Sequence, residues 1–308
     1  MKVGLMLPMG EDEVLRRAQS WPELRDMAVA ADEGGLDSVW GADHLVFRDS
    51  EDWIGIHESW TILTAVAAVT RRVEIGPLVL AMPFRNPALL AKMAAAFDEV
   101  SGGRLILGLG CGWHEPEFTA FDYPFDHRVG RFEEALNITV PLLREGHVTF
   151  EGKYHRADVE LLPRGPRPNG PPIMIAGKQP RMMQLVARHA DQWNAAWYGM
   201  PAEAAELAER ISRQRAACEE VGRDPGTLTL TAGIFVSFPH LLTPGGGEEP
   251  PERAISGDVD HVAEALAGYS THGIEHVIAH IWPNTAAAVE ELARAAEMAR
   301  GAARIGSR

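Results

Sequence analysis

Short apolar and β-branched runs alternate along this chain with stretches whose apolar residues recur at helical spacing. The first texture is that of strands buried in a parallel sheet. The second is that of helices laying one face on that sheet. Strands are predicted at Lys2 to Leu7, Ser38 to Gly41, Val73 to Leu80, Leu105 to Leu109, Ile173 to Ala176, Gln192 to Ala195, Leu228 to Val236 and His276 to Ile281. Helices are predicted between them. One opens on the capping-box sequence Ser20-Trp-Pro-Glu23 and stops at Gly34-Gly35, another covers Ser59 to Val69, and a third follows Asn86-Pro87, a cap with proline at the first helical position. Further helices run from Arg128 to Leu143, Pro180 to His189, Pro201 to Val221, around Val262, Leu266 and Tyr269, and from Ala286 to Gly301.

Two segments break the alternation. Val148 to His155 reads as a β-hairpin turning near Glu151-Gly152, and Pro239 to Pro251, with three consecutive glycines, reads as a mobile surface loop too polar to pack. Eight β-α units in succession close most simply into a (β/α)8 TIM barrel, an α/β fold, forming a single domain over residues 1–308. The hairpin is an excursion before strand five and the polar loop a long insertion after strand seven. An open doubly wound sheet would call for Gly-x-Gly-x-x-Gly after strand one, where Leu7-Pro-Met-Gly10 stands instead.

Composition narrows the function. With 46% hydrophobic and 23% charged residues the chain has material for a large core. A formal charge of -14 disfavours nucleic acid and anionic membrane surfaces, so any phosphorylated ligand must be held by local basic groups or backbone amides. No stretch has the length of a membrane helix and the start carries no secretory pattern, so a cytoplasmic protein is expected. Cys111 and Cys218 are expected as free thiols.

Barrel enzymes place their chemistry at the C-terminal ends of the strands. After strand two come Asp43 and His44, the latter suited to proton transfer near neutrality or, as plainly, to a structural hydrogen bond. The run Gly108-Leu-Gly-Cys-Gly112 either lets backbone approach a flat ligand or serves a crowded rim, and Trp113 follows it. After strand five, Ala176, Gly177, Lys178 and Gln179 lead into a helix N-terminus that suits a phosphate, or form an ordinary β-α turn. A metal centre is not expected, because strand one ends without a His-x-His pair and His276 and His280 fall at opposite ends of one strand. No Gly-x-Ser-x-Gly elbow supports acyl transfer.

Taken in order, these motifs resemble the luciferase-like monooxygenase and coenzyme F420-dependent oxidoreductase superfamily. The resemblance is carried by Gly35-Leu-Asp-Ser-Val-Trp-Gly-Ala-Asp-His-Leu45, Val79-Leu-Ala-Met-Pro-Phe-Arg-Asn-Pro87, Leu90-Ala-Lys-Met-Ala94, Ser101 to Trp113, Ala190-Asp-Gln-Trp-Asn194 and Gly273-Ile-Glu-His-Val277. It implies a flavin or deazaflavin ring in the barrel mouth, backed by a non-prolyl cis peptide at Leu78-Val79 with Ala81 nearby. It also implies Cys111, Gly112 and Trp113 beneath the ring, and the cofactor phosphate at Ala176, Gly177, Lys178 and Gln179. Asp43 inherits cofactor contact and His44 proton transfer. Trp113 stands where sugar-phosphate dehydrogenases of the superfamily carry a glutamate acid/base, which argues against sugar phosphate oxidation.

The implied function is hydride transfer between coenzyme F420 and a small organic substrate, its apolar character suggested by Trp113, Trp197, Trp282 and Met82. The alternative is a monooxygenase using reduced flavin mononucleotide (FMN), supplied by a partner reductase, and oxygen. A noncatalytic flavin-binding relative is the third reading, and a homodimer is expected.

Overall fold

The structure, a computed structural model, describes residues 1–49, 52–201 and 205–306. Eight barrel positions are filled by β1 (Lys2–Met6), β2 (Ser38–Gly41), β3 (Glu74–Pro77, resuming as Leu80–Ala81), β4 (Leu107–Gly110), β5 (Ile173–Ala176), β6 (Gln192–Tyr198), β7 (Thr229–Ser237) and β8 (His276–Trp282). They pair in parallel in the order β3-β2-β1-β8-β7-β6-β5-β4. Leu80 and Ala81 then pair with Leu109 and Gly110, and a bridge joins Ile75 to Leu105, so the sheet meets itself as a barrel. Around it lie α1 (Trp21–Glu33), α2 (Ser59–Val69), α3 (Pro87–Ser101), α4 (Glu115–Ala120), α5 (Arg128–Arg144), α6 (Pro180–His189), α7 (Ala205–Glu220), α8 (Val259–Thr271) and α9 (Ala286–Gly306).

Strand pleat sorts the side chains. One set, including Leu5, Val39, Ile75, Leu107 and Ile175, packs outward against the helices. The alternate set, Met6, Trp40, Ile106, Met174 and Ile278, fills the barrel interior. Trp40 is wholly buried there and needs small neighbours: a Cβ at Gly76 would lie 2.6 Å from its ring, and one at Gly4 would lie 2.9 Å from its Nε1. Ala42, Leu78 and Trp197, half-buried, lie over this plug and floor the mouth.

The caps follow from local sequence. Asn86 Oδ1 accepts from the N–H groups of Ala88 and Leu89, and Glu23 accepts from the Ser20 N–H and hydroxyl. Other expectations need correction. The third strand, expected as one run from Val73 to Leu80, is interrupted at Leu78-Val79, where the peptide is cis as the resemblance implies, and β6 runs on to Tyr198 with its register shifted beyond Ala195. The hairpin is longer than predicted: its strands are His147–Glu151 and Arg156–Glu160, and residues 152–155 form only the turn, because Glu134 gathers the N–H groups of Lys153, Tyr154 and His155. Two small hairpins, Glu11–Asp12 with Arg17–Ala18 and Val46–Asp49 with Asp52–Gly55, and the helix α4 stand where sequence periodicity is too short to register. Of the helix predicted from Pro201, Ala205–Glu220 is helical and residues 202–204 lie outside the described ones, and the last helix continues to Gly306.

The insertion after β7 is docked. Glu248 N–H donates to Asp12 Oδ2 at 2.9 Å while Glu13 N–H donates to Glu248 Oε1 at 2.7 Å, so carboxylate–backbone bonds hold the polar part of the segment, and Leu241 at its start packs against the core.

Candidate active site

Asp43 leaves β2 with a buried carboxylate. Its Oδ2 accepts from the Ala81 N–H (2.9 Å) and Arg85 Nη1 (2.7 Å), and its Oδ1 from Arg85 Nη2 (2.8 Å). Arg85 also reaches Glu58 Oε1 at 3.0 Å, and Glu58 caps α2. Burial works against the Arg85 charge, yet the two carboxylates hold its pKa above the usual arginine value. Asp43 thus locks the end of β2 to the resumed β3, and Arg85 is committed inside the protein rather than offered to a ligand.

The next residue, His44, is turned by a second carboxylate. Its Nδ1 lies 3.0 Å from Glu117 Oε1, and the other oxygen of Glu117 accepts from the Leu45 N–H at 2.9 Å. Glu117 comes from α4 and its side chain is 1% exposed, whereas that of His44 is 16% exposed. A carboxylate accepts only, so Nδ1 carries the proton and Nε2 of the neutral ring is an acceptor. No side chain among the described residues bonds to Nε2. Phe47, Trp113 and His114 pack around the imidazole, with Trp113 edge-on at 5.6 Å, and His114 Nε2 is occupied by the Arg48 N–H.

Across β6, β7 and β8 runs a second aromatic group. Trp197 stacks on Phe235 at 5.2 Å, His280 stacks on Trp282 at 4.3 Å, and Arg253 lies over Phe235. Burial lowers the His280 pKa to about 4, so the ring is neutral near neutrality. Trp282 Nε1 is buried with no acceptor among the described residues.

The glycine-rich run that begins within β4 has a tenant already. A Cβ at Gly108 would lie 2.0 Å from the Pro77 carbonyl and one at Gly110 2.7 Å from Val79, so these glycines receive the β3 bulge. Gly112, with φ +69, sits over Phe118. Cys111 is half-buried, its thiol pKa raised by burial, and Trp113 is 62% exposed. Both cysteines are free. Leu78 and Val79 are half-buried and Ala81 is buried. At the end of β5, Ala176 and Gly177 are half-buried and Lys178 and Gln179 exposed, with Gly177 O accepting from Trp193 Nε1. Arg181 is paired with Glu133, which leaves Lys178 without an ion-pair partner among the described residues.

Sequence reasoning missed Glu117, the Asp43–Arg85 pair and Phe235. The Glu115-Pro116 start of α4 is a legible helix signal, but six residues are too few for a period to say which glutamate faces inward. Among the described residues no cluster of histidine, cysteine, aspartate or glutamate can hold a metal, and no helix is long and apolar enough to cross a membrane.

The structure is thus a (β/α)8 barrel with a carboxylate-braced histidine and two aromatic groups at the C-terminal ends of its strands, where enzymes of this fold class keep their sites. Residues 1–240 match the family model described as luciferase-like monooxygenase, and the chain belongs to that family and is an oxidoreductase. It is similar to the phthiodiolone/phenolphthiodiolone dimycocerosates ketoreductase of Mycobacterium bovis (strain BCG / Pasteur 1173P2), 30% identical over 277 residues, covering 82% of this chain and 70% of that one. It is 35% identical over 176 residues to the F420-dependent glucose-6-phosphate dehydrogenase of Amycolatopsis mediterranei (strain U-32), a match to 55% of this chain that spans about half, 51%, of that protein's length. The fold matches an F420-dependent secondary alcohol dehydrogenase with an F420-acetone adduct at a TM-score of 0.77, with 18% identity and coverage of 97% and 99% of the two chains.

Proposed function

We propose that this protein transfers hydride between coenzyme F420 and a small, largely apolar alcohol or ketone. The observation that carries the reading is the Glu117–His44 pair: a buried carboxylate fixes Nδ1 and leaves Nε2 able to hold or release a proton. Names of relatives support the cofactor, two of the three being F420-dependent by name.

The residues present fit a flat heteroaromatic group with an anionic tail. The mouth has an apolar floor of Ala42, Leu78 and Trp197 and an unsatisfied indole N–H at Trp282. Leu78, Val79 and Ala81 would back the ring, and Cys111, Gly112 and Trp113 would line its other side. Ala176, Gly177, Lys178 and Gln179 would hold the phosphate through backbone N–H groups and one ammonium. Asp43 would act by positioning the strand end. Bound there, the deazaflavin would supply the carbon that accepts or gives hydride. His44 Nε2 would hold the proton of the alcohol hydroxyl, and the aromatic residues of β6 to β8 would seat the substrate and exclude water.

Titration of the apoprotein at fixed ionic strength with F420, FMN and riboflavin tests the reading. F420 is expected to bind tightest and riboflavin weakest, by a moderate margin because screening acts over about 8 Å at physiological salt. Tighter binding of FMN, with oxygen consumption by the reduced complex, would replace this reading with the monooxygenase one. A homodimer and a reductase partner belong to the same proposal, the reductase only in the FMN case.

A further inference from the structure

Outside the barrel mouth lies a cavity of about 560 Å³, bounded by the first turns of α5, the turn of the 147–160 hairpin and the start of α6. Its cations are Arg128, Lys153 and Arg181. Of the two glutamates on its wall, Glu133 pairs with Arg181 at 2.6 Å. Glu134 is occupied by three backbone N–H groups, those of Lys153 (2.8 Å), Tyr154 (2.7 Å) and His155 (2.9 Å). No carboxylate among the described residues lies within ion-pair distance of Arg128 or Lys153, so the cavity keeps an excess of positive charge in a protein of net charge -14. His127 gives α5 no side-chain cap, so the partial positive charge of the helix start faces the same space.

Position adds to charge. Arg128 Nη1 donates to Gly112 O at 3.1 Å, tying the cavity to the loop beside the mouth. Arg181 lies two residues past Gln179, and a Cβ on Gly130 would fall 3.3 Å from Tyr154 and 3.8 Å from Arg181 Nη2, so glycine keeps this floor low. The cavity therefore lies between the Gly112 loop and the Gly177–Gln179 loop. Its volume is within the roughly 300–1,000 Å³ range of small-ligand sites and suits an extended anion rather than a single phosphate.

Resting on the F420 assignment above, we propose that this cavity binds the carboxylate-bearing tail that continues beyond the cofactor's phosphate, with Lys153 and Arg128 as its principal cationic contacts. FMN ends at its phosphate, so the site gives the protein a means of preferring the longer cofactor.

The test is a fluorescence or calorimetric titration of wild type, Lys153→Glu and Arg128→Gln with three probes: F420 carrying its glutamates, the same molecule trimmed back to the phosphate, and FMN. Lys153 is exposed on a turn, and unchanged circular dichroism melting checks that each variant is folded. Trimming is expected to weaken wild-type binding about fivefold, and Lys153→Glu to weaken the tailed form about tenfold while moving the trimmed form and FMN less than about twofold. Arg128→Gln is expected to act in the same direction on the tailed form. Equal losses for tailed and trimmed forms, or no loss for either, overturn the tail site alone. If neither deazaflavin binds while FMN does, the F420 assignment itself is overturned and the tail site with it.

Discussion

Two histidines on β8 show how differently one barrel treats its two ends. His276, at the start of the strand, meets Ser38 Oγ at 2.7 Å, and Ser38 Oγ accepts from Trp40 Nε1 at 2.7 Å. The imidazole is neutral near neutrality, its pKa lowered to about 3 by burial first, then by Lys2 and the N-terminal amine. His280, four residues on, is held neutral by burial as well, but it makes no side-chain hydrogen bond among the described residues and stacks on Trp282, whose own N–H has no acceptor. At the lower end the His276–Ser38–Trp40 chain closes on itself. The mouth leaves donors and acceptors open, which raises the local cost of folding and supplies what a ligand can satisfy.

The contrast can be broken first at His44. His44→Ala is expected to lower turnover by about 10² to 10⁴, equivalent to roughly 3–5 kcal/mol of barrier, with cofactor affinity and denaturant midpoint nearly unchanged. The measurement is steady-state kinetics with the first alcohol or ketone that supports F420 turnover, alongside urea unfolding; an unchanged rate would make the Glu117 bond purely structural. Trp40→Ala should do the reverse, costing about 3–5 kcal/mol of stability by urea unfolding through the cavity it leaves. A loss below about 1 kcal/mol would mean that the interior plug collapses without penalty.

Acid should then distinguish folded from unfolded histidine. As pH falls below about 6.5 the unfolded chain takes up a proton at both His276 and His280, while the folded chain does so only near 3 and 4. Stability present above pH 6.5 is therefore lost as pH drops toward 3, at up to about 1.4 kcal/mol per pH unit for each group. Denaturant melts at several pH values check this, and His276→Gln should flatten the slope by one proton. The smallest effect is expected at Glu117→Gln, about tenfold in rate, with the pH–rate profile displaced as the histidine loses its anionic partner. An unmoved profile would deny Glu117 its positioning role.

Most of this architecture is legible before any coordinates, because strand and helix periods are repeated eight times and a single misread element does not alter the topology. Helices two and six fall on the residues predicted, Ser59–Val69 and Pro180–His189. What escapes is local and long-range at once. Glu117 and His44 are 73 residues apart and α4 is a helix of 6 residues, so neither spacing nor period links them. Nothing local marks the pairing of Arg85 with Asp43, and the polar insertion after β7 looks unanchored because its tether over the glycines is Glu248 against Asp12 and Glu13, with Leu241 the one apolar contact at its start. The glycines of the 108–112 run read as ligand space, whereas Gly108 and Gly110, inside β4, accommodate Pro77 and Val79.

That last fit makes the two strands a lock and its key. The Gly108-x-Gly110 spacing is the negative image of the neighbouring bulge: Gly108 faces the Pro77 backbone carbonyl and admits no side chain, whereas Gly110 can change in concert with its partner, a methyl group there calling for a smaller residue at Val79. Variation at one position would then be read as damage and at both as drift. A laboratory search for altered ring pockets in this barrel would gain more from paired libraries at 79 and 110 than from either site alone.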